Sequence, residues 1–149
     1  MSESVVADTT CLIALDRIDK LDLLRRLFSS VIIPPEVARE FKKPPEWVTI
    51  QSSSNQNVLA SLRLQVDDGE AAAIALAYEL KVRIILDDRA GRSVAKQFGL
   101  SVMGTIGLLV VAKQRGLVRT VRPIIDDLKR HGFYMTEDLR QEVLRLAAE

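Results

Sequence analysis

One cysteine, one histidine and one tryptophan stand among 149 residues. A lone thiol cannot close a disulfide within the chain, and a thiolate zinc site has no ligand set. Cys11 lies in an apolar run and reads as a small buried hydrophobe. No apolar stretch approaches the roughly 20 residues of a membrane helix. The opening Met1-Ser2-Glu3-Ser4 shows no leader pattern. Together these absences lead us to expect a soluble chain of the reducing cytoplasm with no membrane partner. A dominant charge is also missing: 21 basic and 20 acidic residues leave a net charge of +1. The chain is not a uniformly basic nucleic-acid binder, so any binding face must come from local clustering. No glycine-rich loop of the GxxxxGK[ST] or GxGxxG kind follows a strand, which argues against a nucleotide cofactor.

What is present is apolar and regularly punctuated. The apolar fraction, 48%, is ample for a core at one-domain length, and residues 1–149 are expected to form one domain. Short β-branched runs at residues 4–7, 31–33, 82–86 and 100–103 read as strands, with residues 47–50 as an edge strand. Helical patterns lie between and after them, at residues 9–15, 20–28, 36–41, 58–63, 71–80, 89–98 and 105–112. Val121, Ile124, Ile125 and Leu128 form a further amphipathic stripe, and Leu139, Val143 and Leu146 mark one face of a last helix. Pro35 suits a helix start and Gly99 a helix end. Strands alternating with helices predict an α/β fold: a three-layer α/β/α sandwich whose mostly parallel sheet has four or five strands. Such sheets bind ligands beyond the carboxyl ends of their strands.

Acidic residues fall at those ends. Asp8 follows the first strand, and Asp87-Asp88 follow the strand of residues 82–86. Glu70 opens one helix and Glu40 lies near the end of another. Carboxylates brought together raise one another's pKa, and a divalent cation relieves the repulsion. Mg²⁺ accepts oxygen ligands and retains several waters. With such an ion a water can be deprotonated near neutral pH and a phosphoryl oxygen polarised, which suits phosphodiester hydrolysis.

Each acid also has a local explanation. Asp8 can cap the helix at residue 9, Asp88 the helix at residue 89, and Asp67-x-x-Glu70 has the form of a capping box. Glu40 can be a solvated helix residue. Caps do not explain why the acids share one sheet edge. His131 sits near a helix end, where positive charge is favoured; with no Ser or Cys partner pattern it is assigned a structural role. Lys42-Lys43 and Arg89, Arg92 and Lys96 are basic clusters, and Arg89 and Arg92 would suit phosphate contacts if they flank the acids.

Four segments follow one another in a telling order: Val5-Val6-Ala7-Asp8-Thr9-Thr10, then residues 33–40 (IPPEVARE), residues 68–77 (DGEAAAIALA) and Ile85-Leu86-Asp87-Asp88-Arg89. Together they resemble the PIN-domain family, closest to its prokaryotic VapC-type toxins. Residues 102–109 (VMGTIGLL) resemble a subgroup of uncharacterised PIN proteins. The resemblance implies a Mg²⁺- or Mn²⁺-dependent ribonuclease acting on single-stranded RNA. By position it implies catalytic acids at Asp8, Glu40, Glu70 and Asp88, with metal held by Asp8, Asp88, Asp87 and Glu70. The fourth acid falls on Asp88 or Asp87, with Asp88 preferred from its offset after the strand. Position 70 is commonly Asp in the toxins and is Glu here. Thr9 or Thr10 would be the hydroxyl beside the first acid. The resemblance further implies a homodimer, to which the apolar helices at residues 20–28 and 105–112 lend support, and a small antitoxin partner.

Three other classes compete. A catalytically degenerate PIN module would keep the fold and bind RNA or a protein. A receiver-type phosphoacceptor needs paired acids after its first strand, where this chain has one. A haloacid-dehalogenase-like phosphatase needs a second Asp two residues after the first, and Thr10 stands there.

Overall fold

A computed structural model describes residues 3–149; the leaderless start expected at Met1 and Ser2 lies outside them. Five short strands build the sheet: β1 (Ser4–Ala7), β2 (Ser30–Ile33), β3 (Val48–Ile50), β4 (Arg83–Ile85) and β5 (Val102–Met103). All pair in parallel, in the order β3-β2-β1-β4-β5. Val5, Val6, Ala7, Ile33, Ile84 and Ile85 are fully buried, which is why these strands read as continuous apolar runs.

Nine helices surround the sheet among the described residues: α1 (Thr9–Arg17), α2 (Asp22–Leu27), α3 (Pro35–Phe41), α4 (Gln56–Arg63), α5 (Asp68–Leu80), α6 (Arg89–Gln97), α7 (Thr105–Gln114), α8 (Arg122–Arg130) and α9 (Glu137–Leu146). The fold is therefore α/β, with a wholly parallel sheet. Helix α5 is its central support. It packs on β1 and β4 and against α3, α4 and α6, and residues Gly69 through Ala77 are all buried. Its small alanines let the helix lie close to the sheet, and near-uniform apolarity is the pattern of a helix buried all round.

Local chemistry explains where the elements begin and end. Helix α4 starts two residues earlier than its apolar pattern suggests, because the Asn55 side chain accepts the Val58 amide at 3.1 Å. Strand β5 is shorter than expected. The Leu100 amide turns back to Ala95 O at 3.1 Å, finishing α6 instead of joining the sheet. The expected face of the last helix needs correction: Leu139 and Leu146 are 44% and 52% exposed, whereas Val143, Leu144 and Ala147 are buried. Helix α9 packs on α7, and its roll is set by its end. Glu149 accepts Lys113 Nζ and the amides of Val121 and Arg122. Helix α7 is likewise buried within the chain through Ile106, Leu108, Leu109, Val110 and Ala112. Its apolarity serves the chain's own core, so it does not supply the surface that a dimer would need.

The strand order fixes the ligand-binding position. From β1 the chain moves through β2 to β3; from β4 it moves the opposite way to β5. The sheet therefore reverses between β1 and β4. The crevice beyond their carboxyl ends is the switch point at which open parallel sheets bind ligands.

Candidate active site

Asp8 and Asp87 stand at that switch point. Val6 and Ala7 are registered against Ile84 and Ile85, and the Asp8 amide continues the ladder to Ile85 O at 3.1 Å. Asp8 thus leaves the sheet beside the end of β4. It is 5% exposed. Although Asp8 occupies the position preceding α1, its side chain makes no capping hydrogen bond. Burial, and then the charges of Asp67, Glu40 and Asp87, push its carboxyl from 3.8 to about 7; the Thr9 amide offsets part of this.

The other acids surround it, and each has its own anchor. Thr9 Oγ1 donates to Glu40 Oε1 at 3.1 Å, drawing the exposed end of α3 toward α1. A Cβ at position 69 would overlap Glu40 Oε1, so only glycine at the start of α5 lets that carboxylate approach. Asp67 and Glu70 form a complete capping box: Asp67 accepts the Glu70 amide at 2.8 Å and Glu70 Oε1 accepts the Asp67 amide at 3.3 Å. The box does not remove Glu70 from the crevice. Burial, then Asp67 and Asp88, raise its carboxyl well above the ordinary range, and a Cβ at position 91 would come within 2.9 Å of Glu70 Oε2.

Asp87 and Asp88 have different settings. Asp88 caps α6, accepting the Gly91 amide at 2.9 Å, and remains exposed. Asp87 turns inward. Thr105 donates to both of its oxygens, from its amide at 2.8 Å and from Oγ1 at 2.5 Å. Burial raises the Asp87 carboxyl despite these bonds and the nearby Arg92 charge. Arg92 Nη1 donates to Leu86 O at 3.1 Å, so this guanidinium ties down the end of β4. Arg89 is exposed and lines a groove with Thr10, Asp87 and Asp88. Thr9 is buried beneath the site and Thr10 faces the groove. His131 caps the end of α8, with Nδ1 2.9 Å from Asp127 O. Cys11 is fully buried, and desolvation raises its thiol far above the reactive range.

A family model described as a PIN domain matches residues 4–149. The chain belongs to the PIN-domain family. No curated protein matches it. PIN domains are in general nucleases that bind RNA and use divalent metal ions. No helix among the described residues is long and apolar enough to cross a membrane.

Does this PIN domain suit a metal? The donors are carboxylate oxygens, appropriate to a hard cation. Among the described residues no ion pair reaches Asp8, Glu40, Asp67, Glu70 or Asp88, whereas the outer acids Glu36 and Asp68 share Arg63. Those five acids therefore have no ion-pair partner among the described residues, and the nearby Arg92 charge acts on Asp87. No three of these side chains form a ready-made cage among the described residues. Mg²⁺ does not require one, because it is commonly held by one or two carboxylates, waters and substrate phosphate. The donor set fits on chemistry.

Two contributors are not evident from the sequence pattern. Asp67 reads there only as a cap, yet its charge acts on both Asp8 and Glu70. Thr105 reads only as a helix start. It follows β5, so polar side chains at every carboxyl strand end, and not acids alone, carry the signal that identifies it.

Proposed function

We propose that this PIN domain is a Mg²⁺- or Mn²⁺-dependent endoribonuclease acting on single-stranded RNA. The observation that carries the reading is Asp8: buried, uncapped, without an ion pair, and pushed to about 7 by burial and three other acids at the switch point. A carboxylate in that setting is unfavourable without a cation. Asp8 and Asp88 would hold the ion between β1 and the start of α6, with Glu40 or Glu70 reaching it directly or through water. A bound divalent ion supplies charge neutralisation and Lewis acidity toward water and a phosphoryl oxygen.

The chain's own residues set the geometry. Thr105 fixes Asp87 from both oxygens, Thr9 and Gly69 bring Glu40 in, and the capping box locks the start of α5. Arg89 stands on the exposed side, suited to the phosphate backbone. The test is cleavage of labelled single-stranded RNA with Mg²⁺ or Mn²⁺, with EDTA and Asp8→Asn as controls. Asp8→Asn should lower activity at least a hundredfold, about 2.7 kcal/mol in the barrier. Cleavage that survives both controls refutes the proposal.

One observation favours a second reading, a catalytically degenerate PIN module that binds RNA or a protein: no three acids form a ready cage among the described residues. Titration calorimetry separates the two, since only the nuclease reading requires divalent-ion binding that Asp8→Asn weakens tenfold or more, about 1.4 kcal/mol. The nuclease reading extends to a cytoplasmic toxin that forms a homodimer and is restrained by a small antitoxin. Light scattering at tens of micromolar tests the dimer, and a pull-down from the native cell tests the partner.

A further inference from the structure

We propose that the groove leading from the acids past Tyr134 is a base-binding subsite. It would take one unpaired nucleotide of the RNA strand beside the scissile phosphate. The inference rests on the nuclease reading above and names a specific anchor for its substrate.

The groove measures about 980 Å³, the upper part of the range for pockets that bury a whole small molecule. Thr10, Asp87 and Asp88 line it together with Arg17, Phe133 and Tyr134, over an apolar lining that includes Ile13 and Leu128. One continuous depression therefore joins the acid site to an aromatic surface. Tyr134 is 83% exposed, a large ring left in water on the connection between α8 and α9.

That connection is pinned on both sides of the ring. The Phe133 amide donates to Leu128 O at 2.9 Å, and Thr136 Oγ1 caps α9 by accepting the Leu139 amide at 3.1 Å. Arg17 Nη1 reaches His131 O at 3.3 Å, tying the connection to α1, the helix that starts beside Asp8. The backbone that presents Tyr134 is thus held on both sides, and the ring projects from it into solvent.

The lining chemistry selects the occupant. A π face stacks a nucleobase without regard to its identity. The guanidinium groups of Arg17 and Arg89 complement a phosphate backbone. Asp87 and Asp88 in the same lining would set the scissile bond beside the bound nucleotide. A duplex cannot use the platform, because its bases are already stacked, so the subsite selects single-stranded substrate.

The test uses the full chain carrying Asp8→Asn, which slows cleavage at least a hundredfold, and the anisotropy of a labelled single-stranded oligonucleotide in Mg²⁺. Adding Tyr134→Ala should weaken binding about tenfold, 1.4 kcal/mol, and Tyr134→Phe, which keeps the ring, should restore it. An abasic nucleotide at one position should reproduce the loss and abolish the further effect of Tyr134→Ala, since the two changes delete one contact. Unchanged affinity in Tyr134→Ala overturns the subsite; cleavage by the wild type in the same preparation would leave the nuclease reading standing. A Tyr134→Ala chain with unchanged affinity and an altered mass by light scattering would assign the face to contact between copies, also overturning it. Absence of both cleavage by the wild type and RNA binding by the Asp8→Asn chain would overturn both readings.

Discussion

Replacing Asp8 by Asn should make the metal-free protein more stable while making it inactive. In the metal-free chain Asp8 titrates at about 7, against 3.8 for an unperturbed Asp. Below the lower value it is protonated in both the folded and unfolded chains, and it does not affect stability. As the pH rises past 4 the unfolded chain ionises and the folded one does not, so stability falls until the pH passes about 7. A tenfold difference in proton affinity between the folded and unfolded chains is worth about 1.4 kcal/mol. The destabilisation therefore grows to about 4 kcal/mol at pH 8, most of it acquired between pH 4 and 7. Asn has the same shape and never ionises. Its advantage over wild type in EDTA should grow with pH toward that figure, less the cost of accommodating an amide. For a domain of this size, that is a melting-temperature rise of up to roughly 10 °C at pH 8. The assay is thermal or urea unfolding of both proteins in EDTA at several pH values between 5 and 8. Glu70 and Asp87 are raised in the same direction; comparing the two chains removes the part of their contributions that burial supplies, while the part owed to the charge of Asp8 is lost with it and adds to the difference. Mg²⁺ should then stabilise the wild type and leave the variant nearly unchanged. A difference that is flat with pH, or a variant less stable than wild type at pH 8, would refute the burial argument.

Thr105→Val keeps the shape and the amide but removes the hydroxyl bond to Asp87; we expect a loss of about 1–3 kcal/mol by urea unfolding. Gly69→Ala should displace the exposed Glu40 carboxylate. Stability should hold, or rise by up to about 1 kcal/mol from helix propensity, while RNA cleavage falls roughly tenfold, about 1.4 kcal/mol in the barrier; unchanged cleavage would remove Glu40 from the site. Removing divalent ions with EDTA should abolish cleavage, and Mg²⁺ or Mn²⁺ should restore it in the same assay. Asp87→Asn and Asp88→Asn should differ. The first removes one of the two acceptor oxygens that Thr105 holds, a loss opposed as pH rises by relief of the burial that raises the Asp87 carboxyl, so its effect on stability should vary with pH; the second retains the α6 cap and lowers only metal affinity, as unfolding and calorimetry together would show.

The sequence by itself determined what depends on neighbours a few residues away. The alternation of strand and helix was legible because side-chain burial repeats with the local backbone period. The capping box of Asp67 and Glu70 and the Asp88 cap were legible because each is closed within three residues. The placement of Asp8 and Asp87 after strands was legible for the same reason, and with it the sheet edge to inspect. Tertiary structure decided which strand ends meet. The order β3-β2-β1-β4-β5 puts Asp8 beside the end of β4, and no local pattern specifies that pairing. Tertiary structure also turned Asp87 inward onto Thr105, 18 residues away, and left Asp88 to the solvent, although the two are adjacent in the chain. It left Asp8 uncapped in a position where Asp ordinarily caps, and made Gly69 the space that Glu40 occupies. Burial, charge crowding and close approach are sums over elements distant in sequence. They arise only when strand register and helix packing bring those elements to one place.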